Sequence, residues 1–216
     1  ISDSGLDCSV LHTLNLASLS ARRDGFGESV VLEVGSGTDT RKLLAFAIEN
    51  SLGGAEFLTG IPGTVGGAVW GNAGASGEGF AQLTASVETI EKDGSVRIWD
   101  SSELSWNYRT SPWKDTNSVL VTKCMLVMRV VPKDEIIKRI AKFSALKKGQ
   151  PIGKKTAGCV FKNPEGFSAG RLLDECGCKG MSLGGAIVSP THANFVENTR
   201  NAAANDIYTL CERCRK

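Results

Sequence analysis

The sequence predicts a chain of mixed helices and strands in two parts, and three observations carry that expectation. Residues 29–35 and 119–131 are rich in β-branched side chains and stop at Gly35-Ser36-Gly37 and at Pro132, as strands do. Residues 133–147 place Ile136, Ile140 and Phe143 on one side and lysines opposite, as an amphipathic helix does. Past Pro151 the pattern breaks into short segments, which puts a boundary near residues 132–150 and divides the chain into 1–131 and 132–216. An apolar fraction of 41% against 22% charged is enough for a buried core and excludes wholesale disorder.

After the strand at 29–35, a helix is expected from Asp39 or Thr40 to Asn50, with Leu43, Leu44, Ala47 and Ile48 at helical spacing and Gly53-Gly54 ending it. Residues 60–79 read as a long glycine-rich loop. A hairpin follows, 86–91 and 96–99 around Lys92-Asp93-Gly94-Ser95. In the second part the expectation is a strand at 158–161, a helix at 169–176, a strand near 186–189, and a last helix from about 202 that Asn201 can cap.

The formal charge of +2 arises from 25 basic and 23 acidic residues with no like-charge run, so no nucleic-acid footprint is indicated. No segment reaches the roughly 18 apolar residues needed to cross a bilayer, and no signal-like start precedes the first strand. The chain opens at Ile1 on what reads as the tail of a loop, which implies a trimmed N-terminus. Seven cysteines, an odd number, favour reduced thiols in a cytoplasmic compartment. The pairs Cys176/Cys178 and Cys211/Cys214 lack the turn residues of a zinc knuckle, and Ile207, Leu210 and Cys214 share a helical face, so no metal is expected.

Four segments could carry chemistry. Gly60-Ile61-Pro62-Gly63-Thr64-Val65-Gly66-Gly67-Ala68, then Asn72-Ala73-Gly74, lacks the Gly-Lys-Ser/Thr ending of a phosphate-binding loop. Its bare backbone can lie against a flat ring or a pyrophosphate, or simply turn tightly. Gly35-Ser36-Gly37 has Thr40 where a dinucleotide fingerprint needs glycine. Tyr108-Arg109-Thr110-Ser111 sits between the hairpin and the long strand. Ala157-Gly158-Cys159-Val160-Phe161-Lys162-Asn163-Pro164 gathers a thiol, an ammonium and an amide. Gly184-Gly185-Ala186 leads to His192-Ala193-Asn194-Phe195, which holds one of the chain's 2 histidines.

In this order the segments resemble the UDP-N-acetylenolpyruvoylglucosamine reductase (MurB) family, shorter type, over nearly the whole chain. The resemblance implies an α+β fold: part of an FAD-binding domain of the vanillyl-alcohol-oxidase (PCMH) type over residues 1–131, then a smaller α/β substrate-binding domain over 132–216. It implies FAD as cofactor, NADPH as reductant, and reduction of UDP-N-acetylglucosamine-enolpyruvate to UDP-N-acetylmuramate in peptidoglycan synthesis.

On this resemblance Gly60, Pro62, Gly63, Thr64, Gly66, Gly67, Asn72, Ala73 and Gly74 cradle the flavin. Arg109 stabilises the charge that hydride addition places beside a carboxylate. Cys159 stands where the family usually has a proton-donating serine, and a thiol with an ordinary pKa of about 8.5 is protonated at neutral pH and can still serve. Tyr108, Gln150, Lys162, Asn163, Lys179 and His192 are the candidates for holding the nucleotide sugar. Relative to the family pattern, a glycine-rich pyrophosphate loop is expected before Ile1 and a strand with a catalytic glutamate after Lys216; neither Glu197 nor Glu212 matches that glutamate's motif. Two other readings stay open: a non-catalytic remnant that binds nucleotide sugar, and a related FAD-dependent sugar or lactone oxidase.

Overall fold

The computed structural model describes residues 1–23, 29–114 and 119–216. Its chain divides into two units, Leu11–Lys147 and, together, Ile1–Val10 with Lys148–Lys216.

The first unit is built on an antiparallel sheet. Strand β1 (Leu19–Arg23) pairs with β2 (Ser29–Gly35), whose alternate residues Val30, Leu32 and Val34 are buried. Helix α1 (Thr40–Glu49) follows, starting where its sequence predicts, because Asp39 Oδ1 accepts from the Arg41 N–H at 2.8 Å. The side-chain hydrogen bond from Arg41 holds the Asp39 carboxyl at about 2, so the cap is charged at neutral pH.

Next come β3 (Leu52–Gly53), α2 (Val65–Trp70), a small β4 (Gly74–Ala75) and β5 (Glu78–Gly79) hairpin, and α3 (Phe80–Leu83). The expected hairpin is present as β6 (Thr84–Glu91) and β7 (Val96–Asp100), and β8 (Val119–Val130) completes the sheet. The strand order is β1-β2-β8-β6-β7, with β3 paired to the end of β8. Leu32 stands opposite Leu126, and Val87 opposite Cys124. Leu43 and Ala47 of α1 and Val65 and Val69 of α2 are buried in the same core cluster as these strand residues.

Two expectations for this unit change. The sequence predicts a loop throughout 60–79; instead Thr64 Oγ1 accepts from the Gly67 N–H at 3.4 Å and starts α2. Val65, Ala68 and Val69 are buried at helical spacing, a signal the density of glycines conceals. The sequence also places residues 133–147 in the second domain. Helix α4 (Lys133–Leu146) belongs instead to the first unit, so the division falls after residue 147 rather than after 131. Phe143 joins the first unit's core, and Arg139 lies 3.3 Å from the buried Glu56 carboxylate and 2.5 Å from Glu78.

The second unit contains α5 (Ala169–Glu175), β9 (Ser182–Leu183), β10 (Ala186–Val188), β11 (Val196–Asn198) and α6 (Ala204–Arg215), with strand order β11-β10-β9. Leu173, Cys178, Ala186, Val188, Ala193, Val196 and Leu210 form its core. Residues 1–10 join this unit through Asp3, whose Oδ2 accepts from the Ala204 N–H at 2.8 Å. Asn201 does not cap α6. It sits at φ +54°, while Asp206 accepts from the Ala203 N–H at 3.0 Å. The expected strand at 158–161 reduces to one bridge, Cys159 to Phe195. Among the described residues no helix is long and apolar enough to cross a membrane.

Adjacent glycines in α2 yield a stability test. A Cβ on Gly66 would lie 2.7 Å from Ser36 Cβ, whereas one on Gly67 would meet only Thr64 Oγ1, at 3.7 Å. Gly66→Ala should destabilise the protein by about 1–3 kcal/mol through overpacking. Gly67→Ala should be neutral or stabilise by up to about 1 kcal/mol, since it removes chain entropy from the unfolded state. Urea midpoints of the two variants check this; equal losses would mean that Gly66 does not make the close approach described.

Candidate functional site

The candidate residues fall into two groups, one in each unit. In the first unit they are assembled by a seam between the turn after β2 and the start of α2. Thr40 donates from its N–H to Gly63 O at 3.0 Å and from its hydroxyl to Ile61 O at 2.7 Å. Val65 N–H reaches Thr38 O, and Gly66 N–H reaches Ser36 O, each at 2.8 Å. The Gly66 amide is therefore committed to the fold, so the bare-amide cradle expected from sequence is narrower than the motif implies. Gly63, at φ +122°, takes a backbone conformation that a side chain would strain, and Pro62 and Gly67 are exposed.

A cleft of about 200 Å³ opens beside this seam, lined by Thr13, Ser36, Gly66, Gly67, Trp70 and Val121. Ser36 is 1% exposed, and its hydroxyl has no hydrogen-bond partner among the described residues. A buried hydroxyl without a partner costs roughly 1–3 kcal/mol, so a polar group from a bound molecule would be well received there. Together with the exposed Gly67, this fits the polar edge of a flat ring system such as a flavin.

The seam continues to Arg109. Asn72, at φ +41°, donates from Nδ2 to Asn107 O at 3.0 Å and accepts from the Ala81 N–H at 3.1 Å. Ala73 donates to Ala68 O and accepts from Phe80, closing the turn on itself. Arg109 is also in the left-handed region, at φ +56°, a conformation that costs a non-glycine residue about 1 kcal/mol or more. Its guanidinium donates from Nη2 to Gly74 O at 2.9 Å and from Nη1 to Asn72 O at 3.4 Å, and lies 5.3 Å from the Tyr108 ring. Lys114 Nζ donates to Arg109 O at 2.5 Å. Among the described residues no carboxylate pairs with the Arg109 side chain.

Lys147, which sequence reading leaves out, donates to Thr59 O and packs its stem beside Gly60. Burial, and then the Arg109 charge, lower its pKa. Among the described residues neither cation pairs with a carboxylate, an arrangement that favours negative charge nearby.

The second unit holds Gln150, Cys159, Lys162, Asn163, Lys179 and His192. Cys159 is exposed and bridges to Phe195. Asn163 is occupied locally: its Oδ1 accepts from the Ala169 N–H at 3.0 Å, at the start of α5. Lys179 pairs with Asp174 at 2.6 Å. His192 rests on α5, where a Cβ on Gly170 would lie 2.6 Å from its Cε1, and its ring meets Phe195 edge-on at 4.9 Å. Nδ1 accepts from the Asn194 N–H at 3.2 Å, so the neutral ring carries its proton on Nε2. Burial pushes this imidazole below its ordinary value, which keeps it neutral at pH 7. Lys162 and Gln150 lie at the surface or partly so.

The remaining cysteines have structural roles or none. Burial pushes the Cys124 thiol up to about 12. Cys211 and Cys214 pack against the second unit's core, and burial with the Cys178 contact raises Cys214 to about 11. Among the described residues no group of three or more His, Cys, Asp or Glu could hold a metal ion.

Comparison with known proteins supports both parts. Residues 150–216 match the family model described as "UDP-N-acetylenolpyruvoylglucosamine reductase, C-terminal domain", and residues 7–99 match "FAD binding domain". The chain is α+β, with an FAD-binding-type domain followed by a smaller α/β domain. It is 40% identical over 188 residues to the UDP-N-acetylenolpyruvoylglucosamine reductase of Orientia tsutsugamushi, covering 86% of this chain and 61% of that one. The reductase of Thermus thermophilus is 40% identical over 185 residues, covering 85% of this chain. The crystal structure of UDP-N-acetylenolpyruvylglucosamine reductase (MurB) from Thermus caldophilus superposes with a TM-score of 0.80 at 41% identity, covering 85% of this chain and 67% of that one. The chain thus spans about three fifths of the Orientia relative's length. Since the match extends over 68% of the Thermus thermophilus reductase at that identity, the chain belongs to the UDP-N-acetylenolpyruvoylglucosamine reductase family.

Proposed function

We propose that the protein is a cytoplasmic, FAD- and NADPH-dependent reductase that converts UDP-N-acetylglucosamine-enolpyruvate to UDP-N-acetylmuramate for peptidoglycan synthesis. The observation that carries this reading is Arg109: strained at φ +56°, tied to the carbonyls of Asn72 and Gly74, near enough to Lys147 to lower its pKa, and paired with no carboxylate among the described residues. When bound, FAD would relay a hydride from NADPH to the enolpyruvyl double bond. Hydride addition at the carbon β to the carboxylate leaves charge on an enolate-like dianion. A guanidinium fork fixed before the reaction stabilises that charge without reorganising. A proton must then reach the α carbon, and the exposed Cys159 thiol is the donor on this reading.

FAD would be held along Gly60, Pro62, Gly63, Thr64, Gly66, Gly67, Asn72, Ala73 and Gly74, with Ser36 offering a hydrogen bond. Tyr108, Gln150, Lys162, Asn163, Lys179 and His192 are proposed to hold the nucleotide sugar. Asn163 and Lys179 have local partners, at 3.0 and 2.6 Å, so each would have to share or exchange that contact on binding. His192 would use its Nε2–H.

Three measurements on the full-length protein test the reading. Flavin should be bound non-covalently, since no His or Cys lies in residues 60–79 to form a link. Acid precipitation should therefore leave a colourless pellet and release FAD. A yellow pellet would contradict this, and a preparation that never shows flavin bands would favour a non-catalytic nucleotide-sugar binder.

Arg109→Ala should slow the substrate-reducing half of turnover by about 10²–10³ while leaving NADPH oxidation largely intact. Stopped-flow absorbance separates the halves; equal damage to both would remove Arg109 from charge stabilisation.

Cys159→Ser should keep measurable turnover because a hydroxyl can donate the same proton, whereas Cys159→Ala should lose on the order of 10²–10⁴. If alanine and serine behave alike, Cys159 is not the proton donor.

A further inference from the structure

The segment that carries Cys159 has little structure of its own. Residues 158–161 lie beside the chain at 194–195, yet a single bridge is all the strand pairing they make. Asn194 does the rest. Its carboxamide is presented to one residue as a missing strand neighbour would be: Oδ1 accepts from the Phe161 N–H at 2.8 Å, and Nδ2 donates to Phe161 O at 2.9 Å. Its own carbonyl accepts from the Val160 N–H at 2.9 Å. Its N–H donates to His192 Nδ1 at 3.2 Å.

Asn194 is 2% exposed, so each of these groups would be costly to leave unmade. A side-chain clamp at Phe161 with one main-chain bond at Val160 fixes the backbone on the C-terminal side of Cys159 and leaves that residue exposed.

We propose that Asn194 is the positioning residue for Cys159: its backbone N–H is held by His192, and its carboxamide, locked on the Phe161 backbone, sets the direction in which the thiol points. The proposal rests on the reading of Cys159 as proton donor. The chemistry demands asparagine in particular. Aspartate keeps the acceptor for the Phe161 N–H but turns the donor into a second oxygen against Phe161 O. Glutamine keeps both groups but extends them by one methylene.

The test uses Asn194→Asp and Asn194→Gln in the full-length protein. Iodoacetamide labelling is read peptide by peptide, with the exposed Cys176 and Cys8 as references in the same molecule. In Asn194→Asp at pH 8 the ratio of Cys159 to Cys176 labelling should change severalfold, and turnover should fall on the order of 10-fold to 100-fold, as expected for a displaced reacting group. As pH falls, the buried carboxyl takes up a proton and can again donate to Phe161 O. Turnover relative to wild type should then recover on the acid side, through the titration of a carboxyl raised by burial.

His192 and the charges of Lys179 and Asp174 that act on it are present in both proteins, so the ratio to wild type isolates the introduced carboxyl. If Asn194→Asp does not fold, Asn194→Gln carries the same labelling test. A Cys159 to Cys176 ratio equal to wild type in a folded variant, or a turnover profile parallel to wild type at every pH, would overturn the proposal. Equal changes at Cys159, Cys176 and Cys8 would also overturn it, by showing a general loosening. Failure of the proton-donor reading is distinguishable: it appears as full activity in Cys159→Ala, while the labelling ratio reports the clamp either way.

Discussion

The seam between residues 36–40 and 61–66 is the constraint on which the first unit depends, because two helices and the end of the sheet all begin there. Thr40 is the first residue of α1, and its N–H and hydroxyl are spent on Ile61 and Gly63 rather than on its own helix. Val65 is the first residue of α2, and its N–H crosses to Thr38 in the same way. Helix N-termini leave amides without intrahelical partners, and here the two starts help satisfy each other's chains. The arrangement works only with a glycine at 66, where Ser36 approaches within contact of the backbone. It leaves one group without a partner among the described residues, the Ser36 hydroxyl, on a residue that lines the cleft.

Arg109 depends on the same seam at one remove. The turn from Asn72 to Gly74 follows α2 directly, and its carbonyls hold the guanidinium. Two non-glycine residues at positive φ, Asn72 and Arg109, are stable because side-chain hydrogen bonds determine both positions from several directions. The charge is left unbalanced: burial and then the Arg109 guanidinium lower the pKa of Lys147, and among the described residues no carboxylate pairs with either side chain. A protein selected for stability alone would place an acid there. A protein that must receive negative charge would not.

Much of the fold was legible in the sequence because local patterning and packing agree. Strand β2, helix α1 with its Asp39 cap, the β6–β7 hairpin and β8 follow from apolar alternation and punctuation by Gly and Pro. Helix α2 was hidden because glycine content argues for a loop, and only tertiary contact with Ser36 explains why glycines occupy a helix. Helix α4 was recognised as a helix, but amphipathicity does not say which core its apolar side joins; Arg139 reaching Glu56 and Glu78 decides that. In the candidate site, the ordered motifs pointed to Arg109, Cys159 and the glycine segment. Lys147 carries no local pattern to mark it. Asn194 sat inside a recognised block, yet its role comes from a pairing 33 residues away. Long-range polar contacts of this kind leave no periodicity to read.

The central claim is that negative charge arising on an enolpyruvyl nucleotide sugar is received beside Arg109 after hydride delivery from a flavin. The most direct measurement is anaerobic. The full-length protein is reduced with one equivalent of NADPH, then mixed with UDP-N-acetylglucosamine-enolpyruvate, and the flavin absorbance near 450 nm is followed by the usual flavin assay. The oxidised flavin band should return with formation of an equal amount of UDP-N-acetylmuramate, and Arg109→Ala should return it far more slowly. A band that stays bleached in the presence of the nucleotide sugar, and returns only on admitting oxygen, would contradict it.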